Sequence, residues 1–346
     1  MFWIIGGEKV FSTLAKIWPN PATETIHQQL THVKWEGFHF EDLIFPLFLF
    51  VVGVVLPFSI SRRLERGQSR TKLYLHIAKR TIVLILLGLI LNGLLWFNWP
   101  QMRWPGVLQR IGLCYFFAAL LVMNTKWKTQ AIVTGAILLL YWAAMMLIPV
   151  PSYGAGIITP QACLSSYVDH LLIPGKLYYG HGDNEGLIST LPAICSVLFG
   201  VLAGHWLLSN RSSNRKAIWL AIAGIASLII GYSWGQFFPI IKNIWTSSFV
   251  LVGAGYSLLL LALFYWVIDV KGYKKWAFFF VVIGMNPITI YCLQWFVGFE
   301  TIANFFIQGI ADHTGIFNTL ILAFSVLMVK WLLLWFLYRH KIFFKV

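Results

Sequence analysis

Long apolar runs, separated by polar segments, recur along the whole chain. A helix that crosses the hydrocarbon core of a bilayer needs about 20 predominantly apolar residues. Nine runs have spanning length, and we predict that each forms a transmembrane helix. The runs lie at about residues 43–61, 77–98, 105–123, 129–148, 187–208, 216–234, 247–268, 276–297 and 318–338.

The first residues, "MFWIIGG", add a shorter apolar stretch that stops at Glu8. It is too short to span a bilayer, so we interpret it as the end of a helix whose beginning is missing. The pattern therefore predicts an all-α polytopic membrane protein with a bundle of about ten transmembrane helices, the first one truncated. No internal repeat or low-complexity linker divides the sequence, which favours a single domain over residues 1–346.

Composition supports the membrane class and gives an orientation. The chain is 59% hydrophobic and 11% charged, whereas a soluble domain carries about 25% charged residues. Its net charge of +14 reflects basic cytoplasmic loops, and no nucleic-acid-binding module is recognisable. Every second connection is basic, so we predict that these connections and the C-terminus are cytoplasmic. The basic segments are 62–80, 124–128, 209–216, 269–275 and the tail from Arg339.

The predicted external segment 8–42 holds the residues best suited to proton transfer. His32 or His39 could take a proton from an attacking amine or hydroxyl, or could itself be acylated. The alternative is that both are interfacial histidines. Asp42 begins an apolar run, where a carboxylate is favoured by the helix dipole, and it could also orient a histidine.

Several charged residues lie within or beside the apolar runs. Arg110 is a charge inside a predicted span, which usually faces a cavity or a partner. Lys330 is similar, and pairing would account for it. Asn286 precedes Pro287 in a predicted helix break, which either lines a cavity or is a simple kink.

Two further groups could bind substrates. Asp183, Asn184 and Glu185 stand at the external mouth of a span, where they could bind a cationic amino sugar or cap the helix. The basic segment 62–80 could bind the phosphates of a nucleotide-like cofactor, although the positive-inside rule already explains it. The four cysteines lack metal-ligand spacing, so no metal is expected.

These motifs, taken in order, resemble the transmembrane acetyltransferases typified by heparan-α-glucosaminide N-acetyltransferase and its bacterial relatives. The resemblance extends over nearly the whole chain. The matching stretches are "HVKWEG" from His32, "DLIFPLFLFVVG" from Asp42, "RWPGVLQRIGLCYF" from Arg103, "DNEGLIST" from Asp183, "KNIWTSSFV" from Lys242, "DVKG" from Asp269 and "GMNPITIY" from Gly284.

The resemblance implies transfer of an acetyl group from cytosolic acetyl-CoA, through the bundle, to a glucosamine amine on the far side. The active-site histidine of such proteins lies in an H-x-x-W-x-G motif, which selects His32 over His39. Family members also carry an early D-x-x-R-G motif, which this sequence lacks, and often form dimers. The absence of a large N-terminal region suggests a bacterial protein of the inner membrane.

We assign roles on this basis. His32 and Asp42 are the candidate catalytic residues. Candidate donor-binding residues for acetyl-CoA are Arg110, Asn286, Arg62, Arg63 and Arg80, and candidate acceptor-binding residues are Trp35, Asp183, Glu185 and Asn243.

Two other functions remain alternatives. A transporter or flippase of a glycan or lipid precursor would use them as a translocation path, and a non-catalytic membrane subunit would need none of them. Only the acyltransferase requires binding of acyl-CoA.

Overall fold

The computed structural model describes residues 1–344, and within that range it is helical, with no β-strand beyond three isolated bridges. The all-α polytopic prediction is confirmed. Fourteen α-helices, labelled in chain order, are α1 (Glu8–Ile17), α2 (Pro21–Gln29), α3 (Phe40–Glu65), α4 (Arg70–Leu91), α5 (Val107–Asn124), α6 (Trp127–Leu147), α7 (Leu164–Leu172), α8 (Thr190–Leu208), α9 (Ser213–Trp234), α10 (Ser247–Tyr265), α11 (Phe278–Met285), α12 (Pro287–Phe296), α13 (Phe299–Asp312) and α14 (Asn318–Arg339).

The number of spans is smaller than the predicted ten. In residues 1–344, eight helices are long and apolar enough to cross a membrane, namely α3, α4, α5, α6, α8, α9, α10 and α14. A ninth arises if the segments Lys275–Met285 and Pro287–Phe296, bent by 60° at Asn286, count as one span. The apolar start of the chain forms only a π-helical turn, Trp3–Gly7, ahead of the 10-residue α1. These helices make the chain an integral membrane protein.

Helix α4 is displaced from the predicted span 77–98. Its first turn begins after Ser69, whose hydroxyl accepts a hydrogen bond from the Lys72 amide and so caps the helix. The helix ends at Leu91 because Gly93 adopts a left-handed conformation with φ +95°. Most of the basic segment 62–80 is therefore helical and not a loop. The mean hydropathy of a sequence window does not reveal this, because basic residues lower it whether or not they are helical.

Contacts between residues divide the chain into two compact units. Unit 1 comprises Met1–His32, His39–Ile44 and the chain from Gly272 onward. Unit 2 comprises Val33–Phe38 and Phe45–Lys271. The single domain inferred from the sequence stays a prediction.

Each unit has its own apolar core. In unit 1, buried side chains of α11, α12, α13 and α14 pack together, among them Ile283, Ile290 and Leu334. In unit 2, glycines let α3 and α8 approach closely. A Cβ atom on Gly53 would lie 1.9 Å from the Val197 carbonyl oxygen, so no larger residue fits there.

Candidate active site

His32 and Asp42, both in unit 1, form a hydrogen-bonded pair. His32 lies in the loop after α2, and Asp42 lies in the first turn of α3. The Nδ1 atom of His32 is 2.9 Å from Oδ1 of Asp42. Since a carboxylate can only accept, Nδ1 carries the hydrogen and the basic lone pair is on Nε2. The His32 side chain is 56% exposed while that of Asp42 is 1% exposed, so the pair is a buried carboxylate holding an accessible imidazole.

Asp42 also fixes the start of α3. Its second oxygen, Oδ2, accepts a hydrogen bond of 3.1 Å from the backbone amide of His39, the residue before the helix. The two roles that the sequence left open for Asp42, capping and orienting a histidine, thus occur together. His39 itself points elsewhere, because its Nδ1 donates to the Thr31 carbonyl at 2.8 Å.

The motif residues after His32 belong to unit 2 and are anchored there. The indole of Trp35 donates to the Ile158 carbonyl at 3.0 Å and packs into an apolar cluster. Gly37 has φ +127°, a conformation that favours glycine, and its amide donates to the Ile240 carbonyl. The Asn243 amide donates to the Lys34 carbonyl at 3.3 Å. Trp35, predicted to bind acceptor, therefore anchors this segment to the loop between α6 and α7, and Asn243, also predicted to bind acceptor, anchors it to the loop before α10.

The acidic residues of the 183–185 stretch are engaged by Arg103. Its Nε donates to Asp183 Oδ2 at 2.8 Å, and its Nη2 contacts Asp183 Oδ1, Asn184 Oδ1 and Glu185 Oε2. Burial opposes the charge on Arg103, but its hydrogen bonds to Asp183 and the charge of Glu185 outweigh burial and raise the pKa of the guanidinium. Burial also raises the pKa of Glu185, and the charge of the nearby Arg103 opposes that shift.

Asp169 of α7 fastens the same loop from another side. Its two carboxylate oxygens accept hydrogen bonds from the backbone amides of Leu187 (2.9 Å) and Asp183 (3.3 Å). Burial raises the pKa of Asp169 to about 6, and the two amide hydrogen bonds oppose that shift. The loop that leads into α8 is thus held by charged groups from two different segments.

Arg110 is completely enclosed within unit 2. It is 1% exposed, and its Nη2 donates to Ser189 Oγ at 2.5 Å and to the Gly186 carbonyl at 3.2 Å. Its guanidinium carbon lies 5.0 Å from the centre of the Trp245 ring. The other two nitrogens, Nε and Nη1, are buried with no hydrogen-bond partner in the described part of the chain. A buried donor of this kind calls for an acceptor oxygen.

Trp245 is itself unusual. Its backbone has φ +53°, which is rare for a bulky residue, and its side chain is 1% exposed. The indole donates to Ser196 Oγ at 3.2 Å and packs edge-on against Phe45 and Phe249. Strained residues of this type occur where the surrounding structure dictates the conformation.

The arginines proposed to bind the donor lie in three helices of unit 2, namely α3, α4 and, for Arg110, α5. Arg62 and Arg63 lie in the last turn of α3, and Arg63 Nη2 is 3.1 Å from His76 Nε2 of α4. Arg80 lies within α4, stacked 4.5 Å from the Tyr115 ring centre, and its buried Nε has no hydrogen-bond partner in residues 1–344.

Asn286, the remaining donor candidate, belongs to unit 1 and joins the α11–α12 break to the C-terminal tail. Its Nδ2 donates to the Ile342 carbonyl and its Oδ1 accepts from the Phe344 amide, both at 3.1 Å. The side chain is fully buried. Both polar groups of the amide thus contact backbone.

Sequence reasoning did not select Arg103, Asp169 or Trp245 as site residues. Arg103 appeared only as the first residue of a matching stretch, and its carboxylate partners are about 80 positions away in sequence. Trp245 stands in the quoted "KNIWTSSFV" stretch, so the motif was visible but its geometry was not.

The chain is similar in sequence to known proteins. The family model described as "Heparan-alpha-glucosaminide N-acetyltransferase, catalytic" matches residues 20–237. The mouse and human proteins named heparan-alpha-glucosaminide N-acetyltransferase are each 28% identical to it over 91% of the chain. The alignments cover 56% of the mouse protein and 55% of the human one, so the chain spans about half the length of these relatives. Since the family model covers most of the chain, including His32, Asp42, Arg103, Arg110 and Asp183, the chain belongs to the heparan-alpha-glucosaminide N-acetyltransferase catalytic family.

Proposed function

We propose that this protein is a transmembrane acyltransferase that moves an acetyl group from cytoplasmic acyl-CoA to an amino-sugar or glycan acceptor on the opposite side of the membrane. The observation that carries the proposal is the His32–Asp42 pair, an accessible imidazole oriented by a buried carboxylate within the region matched by the family. This is the arrangement that general-base or nucleophilic histidines use in acyl transfer.

In the direct form of the reaction, the acceptor amine attacks the carbonyl carbon of the thioester. His32 Nε2 takes the proton that the amine loses, the carbon–sulfur bond breaks, and the CoA thiolate leaves. The proton then passes from His32 to the thiolate, so the imidazole returns to its starting state. In the covalent form, Nε2 attacks the thioester, the carbon–sulfur bond breaks and the CoA thiolate leaves; the amine then attacks the acyl-histidine, the carbon–Nε2 bond breaks to free the imidazole, and the proton lost by the amine passes to the thiolate. Asp42 favours the same tautomer of His32 in both forms.

Donor binding is assigned to the basic residues of unit 2. Arg62, Arg63 and Arg80 would contact the phosphates of CoA, which cross lipid at great cost and so remain on the cytoplasmic side. Arg110 would offer Nε and Nη1 to a carbonyl oxygen of the pantetheine arm, since both nitrogens are buried without partners in residues 1–344. Asn286 is the weakest of these assignments, because its amide is used by the C-terminal tail.

The role proposed for the acceptor-binding residues has to be limited. The oxygens of Asp183 and Glu185 contact Arg103, and Trp35 and Asn243 hold the 34–37 segment. These contacts support a role in shaping the acceptor site rather than in gripping an amine directly. We further propose that the protein resides in a bacterial inner membrane. We also propose that it forms a homodimer, which light scattering of the detergent-purified protein will test.

The deciding experiment is a calorimetric titration of the folded, purified chain with acetyl-CoA, followed by transfer of labelled acetyl to glucosamine in proteoliposomes. Binding of acetyl-CoA together with formation of N-acetylglucosamine supports the proposal. A folded protein that binds no CoA, yet moves a glycan or lipid precursor across the bilayer, would instead be the transporter or flippase.

A further inference from the structure

Unit 1 contains a cavity that has no place in the proposed reaction. Its volume is about 570 Å³, within the usual range for small-molecule sites. Residues of the π-helical turn, α12, α13 and α14 line it, including Trp3, Trp295, Phe299 and Lys330. The wall also contains a second lysine, Lys9, and two glutamates, Glu8 and Glu300, so the cavity combines aromatic walls with charged groups of both signs.

Lys330 lies near the middle of α14, about 18 Å from one end of the helix and about 14 Å from the other at 1.5 Å per residue. A lysine at such depth is expensive unless it meets a partner or a water-filled space. Its only close polar contact in the described chain is with Gln294 Oε1, at 3.4 Å. Its ammonium also lies 5.6 Å from the centre of the Phe299 ring.

The acidic residue best placed to neutralise Lys330 is already engaged. Glu300, also in the cavity wall, is paired with Lys9 at 2.5 Å. No carboxylate lies within 4 Å of Lys330 among residues 1–344, since the ion pairs there are those of Lys9, His32 and Arg103. Lys330 thus faces the cavity without a carboxylate at ion-pair distance in the described chain, while Glu300 is shared with Lys9.

Two breaks in the helical backbone border the same cavity. Gly6, inside the π-helical turn, has φ +126°, and Val297 and Gly298 form the non-helical link between α12 and α13. A backbone break leaves amide and carbonyl groups without helical partners, and polar contents of a cavity can satisfy these groups. Both features point to a polar ligand and not to a simple gap filled by lipid tails.

We infer that this cavity binds the anionic group of an amphiphilic molecule, a phosphate or carboxylate placed against Lys330 and Gln294, with an apolar portion against Trp3, Trp295 and Phe299. The anion would supply the counter-charge that the described chain does not. It could belong to a lipid headgroup or to a water-soluble metabolite. The inference does not depend on the proposed acetyl transfer.

The test measures binding of three probes to the detergent-purified chain by microscale thermophoresis. The probes are dihexanoyl phosphatidylglycerol, dihexanoyl phosphatidylcholine and glucuronate. We expect phosphatidylglycerol to bind, and the Lys330→Met variant to bind it about 10- to 100-fold more weakly, as for loss of a charge-assisted hydrogen bond. Lys330→Arg should retain most of the affinity. Lys275→Met is the matched control, because Lys275 is an exposed lysine outside the cavity wall, and it should leave affinity unchanged.

The outcomes separate the two sources of the anion. Binding of phosphatidylglycerol that depends on Lys330 supports a lipid headgroup, whereas binding of glucuronate that depends on Lys330 supports a soluble anion. If phosphatidylcholine binds as tightly as phosphatidylglycerol, or if Lys330→Met binds every probe as the unmodified protein does, the inference is wrong. Should Lys330→Met fail to fold, the same loss is expected in Gln294→Leu, and binding to the unmodified protein must weaken as salt increases.

Discussion

Two polar clusters, His32–Asp42 in unit 1 and Arg103–Asp183–Glu185 in unit 2, use similar chemical groups in opposite ways. In the first, a 56% exposed imidazole stands over a buried carboxylate. In the second, side chains that are 0% and 4% exposed surround an arginine that is 23% exposed, and the contacts close on one another. A charge satisfied within the protein stabilises architecture, whereas an exposed imidazole that a buried carboxylate holds in one tautomer is accessible for chemistry.

The largest expected effect is on catalysis. His32→Ala should lower acetyl transfer by about 10²- to 10⁴-fold, because a positioned general base contributes that much, while leaving the binding of acetyl-CoA nearly intact. Steady-state transfer in proteoliposomes and calorimetry would measure the two quantities. His39→Ala is the matched control, since the Nδ1 atom of that ring donates to a backbone carbonyl, and it should be much milder. Near-normal transfer by His32→Ala would remove His32 from the mechanism.

Arg103→Met should chiefly reduce stability. It leaves Asp183 and Glu185 buried without their cation, and breaking a buried ion pair in this way typically costs about 3–5 kcal/mol. Thermal unfolding in detergent, followed by circular dichroism, would record the loss. Equal stability of Arg103→Met and the unmodified protein would show that the cluster does not hold the loop before α8.

Asp42→Asn sharpens the comparison within unit 1. The amide can still accept from His39 but no longer favours the reactive tautomer of His32 as a carboxylate does. We expect transfer to fall by about 10- to 100-fold, less than in His32→Ala, with acetyl-CoA affinity unchanged. If the loss of transfer is fully explained by a smaller fraction of folded protein, Asp42 serves only as a helix cap.

The smallest effect concerns pH. The pKa of Asp169 is about 6 in the folded protein, above the value of about 3.9 for an unfolded chain. Its contribution to stability is therefore full below about pH 4 and is lost as pH rises through about 6, amounting to about 1–3 kcal/mol. Asp169→Asn should flatten this part of the stability curve whatever its absolute stability. An unchanged slope between pH 4 and 6 would exclude Asp169 as the titrating group.

The sequence predicted well those features that depend on local composition. Most apolar runs coincide with helices, since a bilayer imposes length and hydropathy directly. The predicted start of α4 was wrong because the first turns of this helix are basic, and hydropathy excludes basic residues from a span. The Ser69 cap stabilises these turns as helix. The prediction that the first residues end a truncated helix stays a prediction, and in the structure they form the π-helical turn Trp3–Gly7 that leads into α1.

The site was predictable only where a motif concentrated it in a short stretch. His32 and Asp42 are ten residues apart, and their contact depends on the path of the intervening loop, which no periodicity reveals. The contact of Arg103 with Asp183 joins loops 80 residues apart in sequence. Hydropathy suggested Lys330 as a buried charge, but the absence of a close carboxylate in the described chain follows only from three-dimensional contacts.

Trp245 has a consequence for which amino acids its position can accept. The backbone at φ +53° favours glycine or asparagine, whereas the enclosed space between Phe45, Phe249 and Arg110 requires a large ring with an N–H group for Ser196. Small residues relieve the backbone but leave a void, and other aromatics fill the space but lack the indole donor. Tryptophan fills the space and supplies the donor at the cost of a strained backbone, so a saturation library at this position should return mostly tryptophan.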